Sequence, residues 1–84
     1  MIEFANSDST IWNQDQLIIE LAHAMSSGAP RIDLGTKGEG PCARSLGLYD
    51  LLDRMCARFN YCTSNIYITT CNLAESHDRY NIVV

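Results

Sequence analysis

Apolar and polar positions follow two rhythms along this chain, and each rhythm predicts a different kind of element. Ile2 to Ala5 is a short apolar-rich run that reads as a first strand. The polar cluster Asn6-Ser7-Asp8-Ser9-Thr10 behind it reads as a loop. Leu17, Ile18, Leu21, Ala22 and Met25 then recur at helical spacing. Asn13 suits the N-cap of that helix, with Gln16 three residues on as in a capping box and Trp12 and Leu17 placed for a hydrophobic staple. Gly28 ends the helix and Pro30 blocks its continuation. From Arg31 to Leu34 the pattern alternates, with Ile32 and Leu34 on one face, as in a half-buried strand.

Gly35-Thr36-Lys37-Gly38-Glu39-Gly40-Pro41 is a loop with three glycines. A second helix follows, marked by the stripe Leu48, Leu51, Leu52, Met55 and Phe59. Its start has two readings: Pro41 at the first helical position, or Ser45 as the cap. Asp50 and Arg54 stand i,i+4 on it, a helix-supporting spacing. Asn65 to Thr70, with Ile66, Tyr67, Ile68 and two threonines, is the strongest strand pattern in the chain. Leu73 to His77 fits one helical turn, and Ile82 to Val84 a short last strand.

The order βαβαβ, with a further αβ, predicts an α/β fold: a small single domain over residues 1–84, with two main helices and a mostly parallel sheet of three to four strands. The apolar end Ile82-Val83-Val84 also suits the N-terminal part of a longer chain. In a parallel sheet the loops after the strands emerge at one edge, where such folds bind ligands. That places Ser7 and Asp8, Thr36 to Gly38, and Cys71-Asn72 together.

Composition narrows the function classes. The 84 residues are 46% hydrophobic and 19% charged, a globular balance, and the net charge is −4. An acidic chain disfavours a nucleic-acid phosphate track and an anionic membrane surface. No apolar run approaches the roughly 20 residues that span a bilayer, and Glu3 and Asp8 do not suit a secretory signal. Cys42, Cys56, Cys62 and Cys71 form no C-x-x-C pair, and only two histidines accompany them. No metal or other cofactor is expected, and the cysteines read as reduced thiols of a cytoplasmic protein.

The most suggestive chemistry lies between Gly35 and Ser45. Glycines let backbone N–H groups approach an anion, a helix start adds positive potential, and Lys37 and Arg44 carry full charges. The expected ligand set is Ser7, Asp8, Thr36, Lys37, Gly38, Gly40, Arg44, Ser45 and Asn72. The loop matches neither phosphate-binding glycine fingerprint, and Glu39 within it repels anions. Its plain alternative is a surface connection whose glycines make turns. Cys71 with His77 six residues on is a weak nucleophile–base spacing, better read as a packed strand-end cysteine. His23 reads as a surface or interface histidine, and Asp50 with Asp53 as a solvated helix face.

Ile32-Asp33-Leu34, a loop, Ser45-Leu46-Gly47-Leu48 and Leu51-Leu52 resemble in part the STAS domains of anti-sigma-factor antagonists. The resemblance covers about a quarter of the chain. It implies a regulatory switch in which a partner kinase phosphorylates Ser45 at a helix start. Here Arg44 stands where that family commonly has an acidic residue, and the family's two opening strands are missing.

The leading expectation is therefore a non-enzymatic binding or interaction module that self-associates, a dimer by default. It takes a small anionic ligand at the strand-end loops or a protein partner. Trp12, Tyr49, Tyr61 and Tyr67 are its interface candidates. The alternatives are the phospho-switch at Ser45 and the opening part of a nucleotide- or sugar-handling α/β enzyme.

Overall fold

The computed structural model describes residues 11–69 and 77–83. Helix α1 spans Gln14–Ser26, β1 Ile32–Leu34, α2 Leu48–Phe59, β2 Ile66–Thr69 and β3 Asn81–Val83, with 3-10 turns at Ala43–Leu46 and Thr63–Asn65. The strands form one parallel sheet in the order β1-β2-β3. This is a small α/β domain with two helices. The strand expected at Ile2–Ala5 lies outside the described residues, as does the turn expected at Leu73–His77 except for His77 itself.

The first helix begins as its pattern requires. The Asn13 side chain accepts a hydrogen bond from the Gln16 backbone N–H at 2.8 Å, and α1 buries Leu17, Leu21 and Met25. The second helix does not. Neither Pro41 nor Ser45 starts it. Ala43–Leu46 winds into a 3-10 turn, inside which the Ser45 hydroxyl donates to the Cys42 carbonyl at 2.7 Å. Gly47 then takes φ 76°, a left-handed conformation that breaks the winding, and α2 starts at Leu48.

Register fixes the two faces of the sheet. Ile32 pairs with Ile66, and Leu34 with Ile68, which in turn pairs with Ile82. These side chains share one face with the apolar sides of α1 and α2, which pack on each other and close a single core. On the opposite face Asp33 lies level with Tyr67 and Asn81, and Thr69 with Val83. Four of those five are exposed and Tyr67 is half-buried. The described residues thus make two layers, with both helices on one side. On α2 the buried positions are Leu48, Leu51, Leu52 and Cys56, while Met55 and Phe59 from the expected stripe are only half-buried.

One aspartate departs from expectation. Asp53 is not simply part of a solvated face: its Oδ1 accepts from the buried Tyr80 hydroxyl at 2.5 Å and from Arg79 Nη1 at 2.9 Å. Tyr49, His77 and Tyr80 stack beside it, with neighbouring ring centroids 4.5 and 4.9 Å apart. This clasp ties the segment leading into β3 back onto α2. Asp50 and Arg54 form no side-chain pair either; Arg54 Nε instead donates to the Asp50 carbonyl at 3.4 Å.

Candidate functional site

A cavity of about 320 Å3 borders β1. Every residue from Arg31 to Lys37 lines it, and Trp12, Glu20, Leu21 and Ala24 face it from the helix side. Side chains from both faces of β1 contribute, so the cavity follows the edge of the strand and not one face. That edge is the outer one, because β1 is the end strand of the described sheet and pairs only with β2. An end strand of this kind presents backbone N–H and C=O groups to any strand laid beside it.

Charges of both signs frame the cavity. Lys37 Nζ sits 2.7 Å from Glu20 Oε2 and 4.7 Å from the centroid of the Trp12 ring. Gln16 Nε2 donates to the same Glu20 oxygen at 3.4 Å. Arg31 Nε donates to Asp33 Oδ1 at 2.8 Å, and its guanidinium lies 3.5 Å over the Tyr67 ring. The pair Arg31–Asp33 is exposed, with 52% and 64% of the side chains accessible, so it adds little to stability and remains open to exchange of partners. The Trp12 indole N–H is buried with no hydrogen-bond partner.

Of the residues expected to bind a ligand, Thr36 and Lys37 reach the cavity. Thr36 also forms an antiparallel bridge with Cys42, which folds the glycine loop back on itself. Gly38 turns at φ 57°, and Gly40 donates its N–H to the Lys37 carbonyl at 3.2 Å. Gly38, Gly40, Arg44 and Ser45 do not line the cavity. Ser7, Asp8 and Asn72 lie outside the described residues. Within the glycine loop, Lys37 is paired with Glu20. Sequence reading missed Arg31, Asp33, Glu20 and Trp12 at this place. The alternation that identified β1 also placed Arg31 and Asp33 on one face, and that was the available signal.

The aromatic residues expected at an interface have partners inside the chain. Trp12 is 5% exposed. The Tyr61 hydroxyl donates to the Ala29 carbonyl, Tyr67 lies under Arg31 and Tyr49 stacks on His77.

The cysteines also differ from the all-thiol expectation, because Cys42 is disulfide-bonded. Cys56 and Cys62 are free, and Cys71 lies outside the described residues. Burial, with the Asp53 charge and Cys62 adding to it, pushes the Cys56 thiol pKa up. A hydrogen bond with the Ser64 side chain, 2.9 Å away, holds the exposed Cys62 thiol below its ordinary range. Thiolate is the reactive form. Iodoacetamide is therefore expected to modify Cys62 well before Cys56 at neutral pH. Mass mapping of the unreduced protein should show label on Cys62 and none on Cys42, which becomes labelled only after reduction. Faster labelling of Cys56 would contradict this.

Among the described residues no helix is long and apolar enough to cross a membrane. Comparisons with protein-family models, with curated proteins and with solved structures find no match to this chain.

Proposed function

We propose that the chain is a non-enzymatic interaction module that pairs with a second copy of itself along the outer edge of β1. One observation carries this reading: Arg31, just before β1, and Asp33 within it stand two residues apart at the end strand of the described sheet, and so form a self-complementary pair. An antiparallel two-fold pairing centred on Ile32 sets Arg31 opposite Asp33 of the partner, and Asp33 opposite Arg31 of the partner. Opposite charges directly across strands favour a register, and like charges oppose it. The same patch serves both copies, as a two-fold interface requires. The pairing would join the two three-stranded sheets into one and fill the cavity beside β1. The two matched ion pairs lining that cavity also favour a partner bearing both signs over a simple anion.

Sedimentation equilibrium tests the reading by charge exchange. Arg31→Asp alone and Asp33→Arg alone each place like charges across the two-fold axis. Each should weaken the dimer about tenfold, since two contacts change per substitution. The double variant R31D/D33R restores opposite charges and should recover most of the association. A wild-type chain that stays monomeric at high micromolar concentration, or a double variant no better than the singles, rejects the reading.

A further inference from the structure

On the far side of the core, α1 and α2 leave a groove of about 450 Å3. Its lining is regular. Gln14, Ile18 and Ala22 form an i,i+4 row on α1, Leu51, Met55 and Phe59 form one on α2, and Arg54 and Arg58 make a second row on α2. Side chains four apart lie one above the other on a helix, so each longer row runs about 12 Å along its axis. The floor is apolar. Ile18 is 37% exposed, and Met55 and Phe59 are half-buried at the edge of the core. The two helices run the same way, because each precedes a strand of the same parallel sheet. The groove between them is therefore a straight trough.

Its charge is one-sided. Two arginines line it and no carboxylate does. Among the described residues neither Arg54 nor Arg58 forms an ion pair. These are two of only six basic side chains in a chain of net charge −4. A concentration of positive charge beside apolar surface, on an otherwise acidic molecule, selects a partner with the opposite arrangement.

We infer that the α1–α2 groove docks an amphipathic helix of another protein, with apolar residues on one face and glutamates or aspartates along its flank. Grooves of this kind read a partner helix through anchors spaced i, i+3 or i+4, and i+7. The apolar anchors would rest on Ile18, Met55 and Phe59, and the acidic flank would meet Arg54 and Arg58. The groove lies on the helical layer and shares no residue with the β1 edge, so occupation of one surface does not require the other.

Two synthetic peptides of about fifteen residues test this. Both carry leucines at i, i+3, i+4 and i+7; one has glutamates on the flanking positions and the other lysines. Fluorescence anisotropy with the full chain should show the glutamate peptide binding at least about tenfold more tightly, with the difference shrinking as salt rises. The variant R54E/R58E should reverse the preference while its circular dichroism and its sedimentation stay those of the wild type. Equal binding of the two peptides, or binding of neither, overturns the inference. A loss of self-association in R54E/R58E overturns it too, because the groove would then be filled by a second copy.

Discussion

Replacing Ile68 with alanine is expected to remove a large share of the stability of the domain. Ile68 is fully buried on the central strand, between Leu34 of β1 and Ile82 of β3 in register. Truncating a buried isoleucine costs about 2–5 kcal/mol, because transfer energy is lost and a cavity remains. A chain of 84 residues holds roughly 4–13 kcal/mol in total. A small two-layer domain has no second core to absorb the loss. The adjacent substitution Thr69→Ala is the control. Thr69 is exposed on the opposite face of the same strand, so its cost should stay within about 0.5 kcal/mol. Urea denaturation followed by circular dichroism separates the two variants. Similar midpoints for both would mean that the faces of β2 are assigned the wrong way round.

The second large effect is expected at Asp53. This carboxylate is the acceptor for the Tyr80 hydroxyl and the partner of Arg79, residues that lead into β3. Asp53→Ala leaves a buried hydroxyl without its acceptor, a loss of about 1–3 kcal/mol. Tyr80→Phe removes the hydroxyl itself and should cost less, about 1 kcal/mol. The clasp also predicts a pH dependence. Burial first, then the hydrogen bond to Asp53 and its negative charge, raise the Tyr80 pKa above its ordinary value of 10. The fold thus favours the neutral phenol, and the unfolded chain releases that proton at lower pH. This contribution is fully present below pH 10 and falls as pH rises from there toward the folded-state pKa. The stability difference between wild type and Tyr80→Phe should therefore shrink above pH 10. A difference that is flat or growing from pH 9 to 11 would rule out the neutral, bonded phenol.

Local signals in the sequence were legible and non-local ones were not. Asn13 and Gln16 revealed the start of α1 because a cap is a contact across three residues. The alternation at Ile32 and Leu34 and the β-branched run at Ile66 revealed strands because each defines its own face. The start of α2 was misread because both Pro41 and Ser45 are acceptable openings. The left-handed turn at Gly47 that overrides them follows a loop folded back through the bridge between Thr36 and Cys42. Asp53 was read as solvated because its partner lies 27 residues away. The pairing of Lys37 with Glu20 is likewise not visible locally, because the two lie 17 residues apart. The exposed edge of β1 is a property of the strand order, which the local pattern at Arg31 and Asp33 does not encode.

The strand order also bears on how the molecule is made. In the sheet β1-β2-β3 the first possible strand pair joins Ile32 to Ile66, with a whole helix between them. During synthesis, α1, β1 and α2 must all leave the ribosome before any ladder hydrogen bond of the described sheet can form. Until Ile66 emerges, the described sheet is not there to cover Leu17, Leu21, Leu48 and Leu52. Contacts so distant in sequence also slow folding. For much of its elongation the nascent chain thus carries apolar helix faces that the described sheet does not yet cover, and that interval is when a chaperone would find the most to hold.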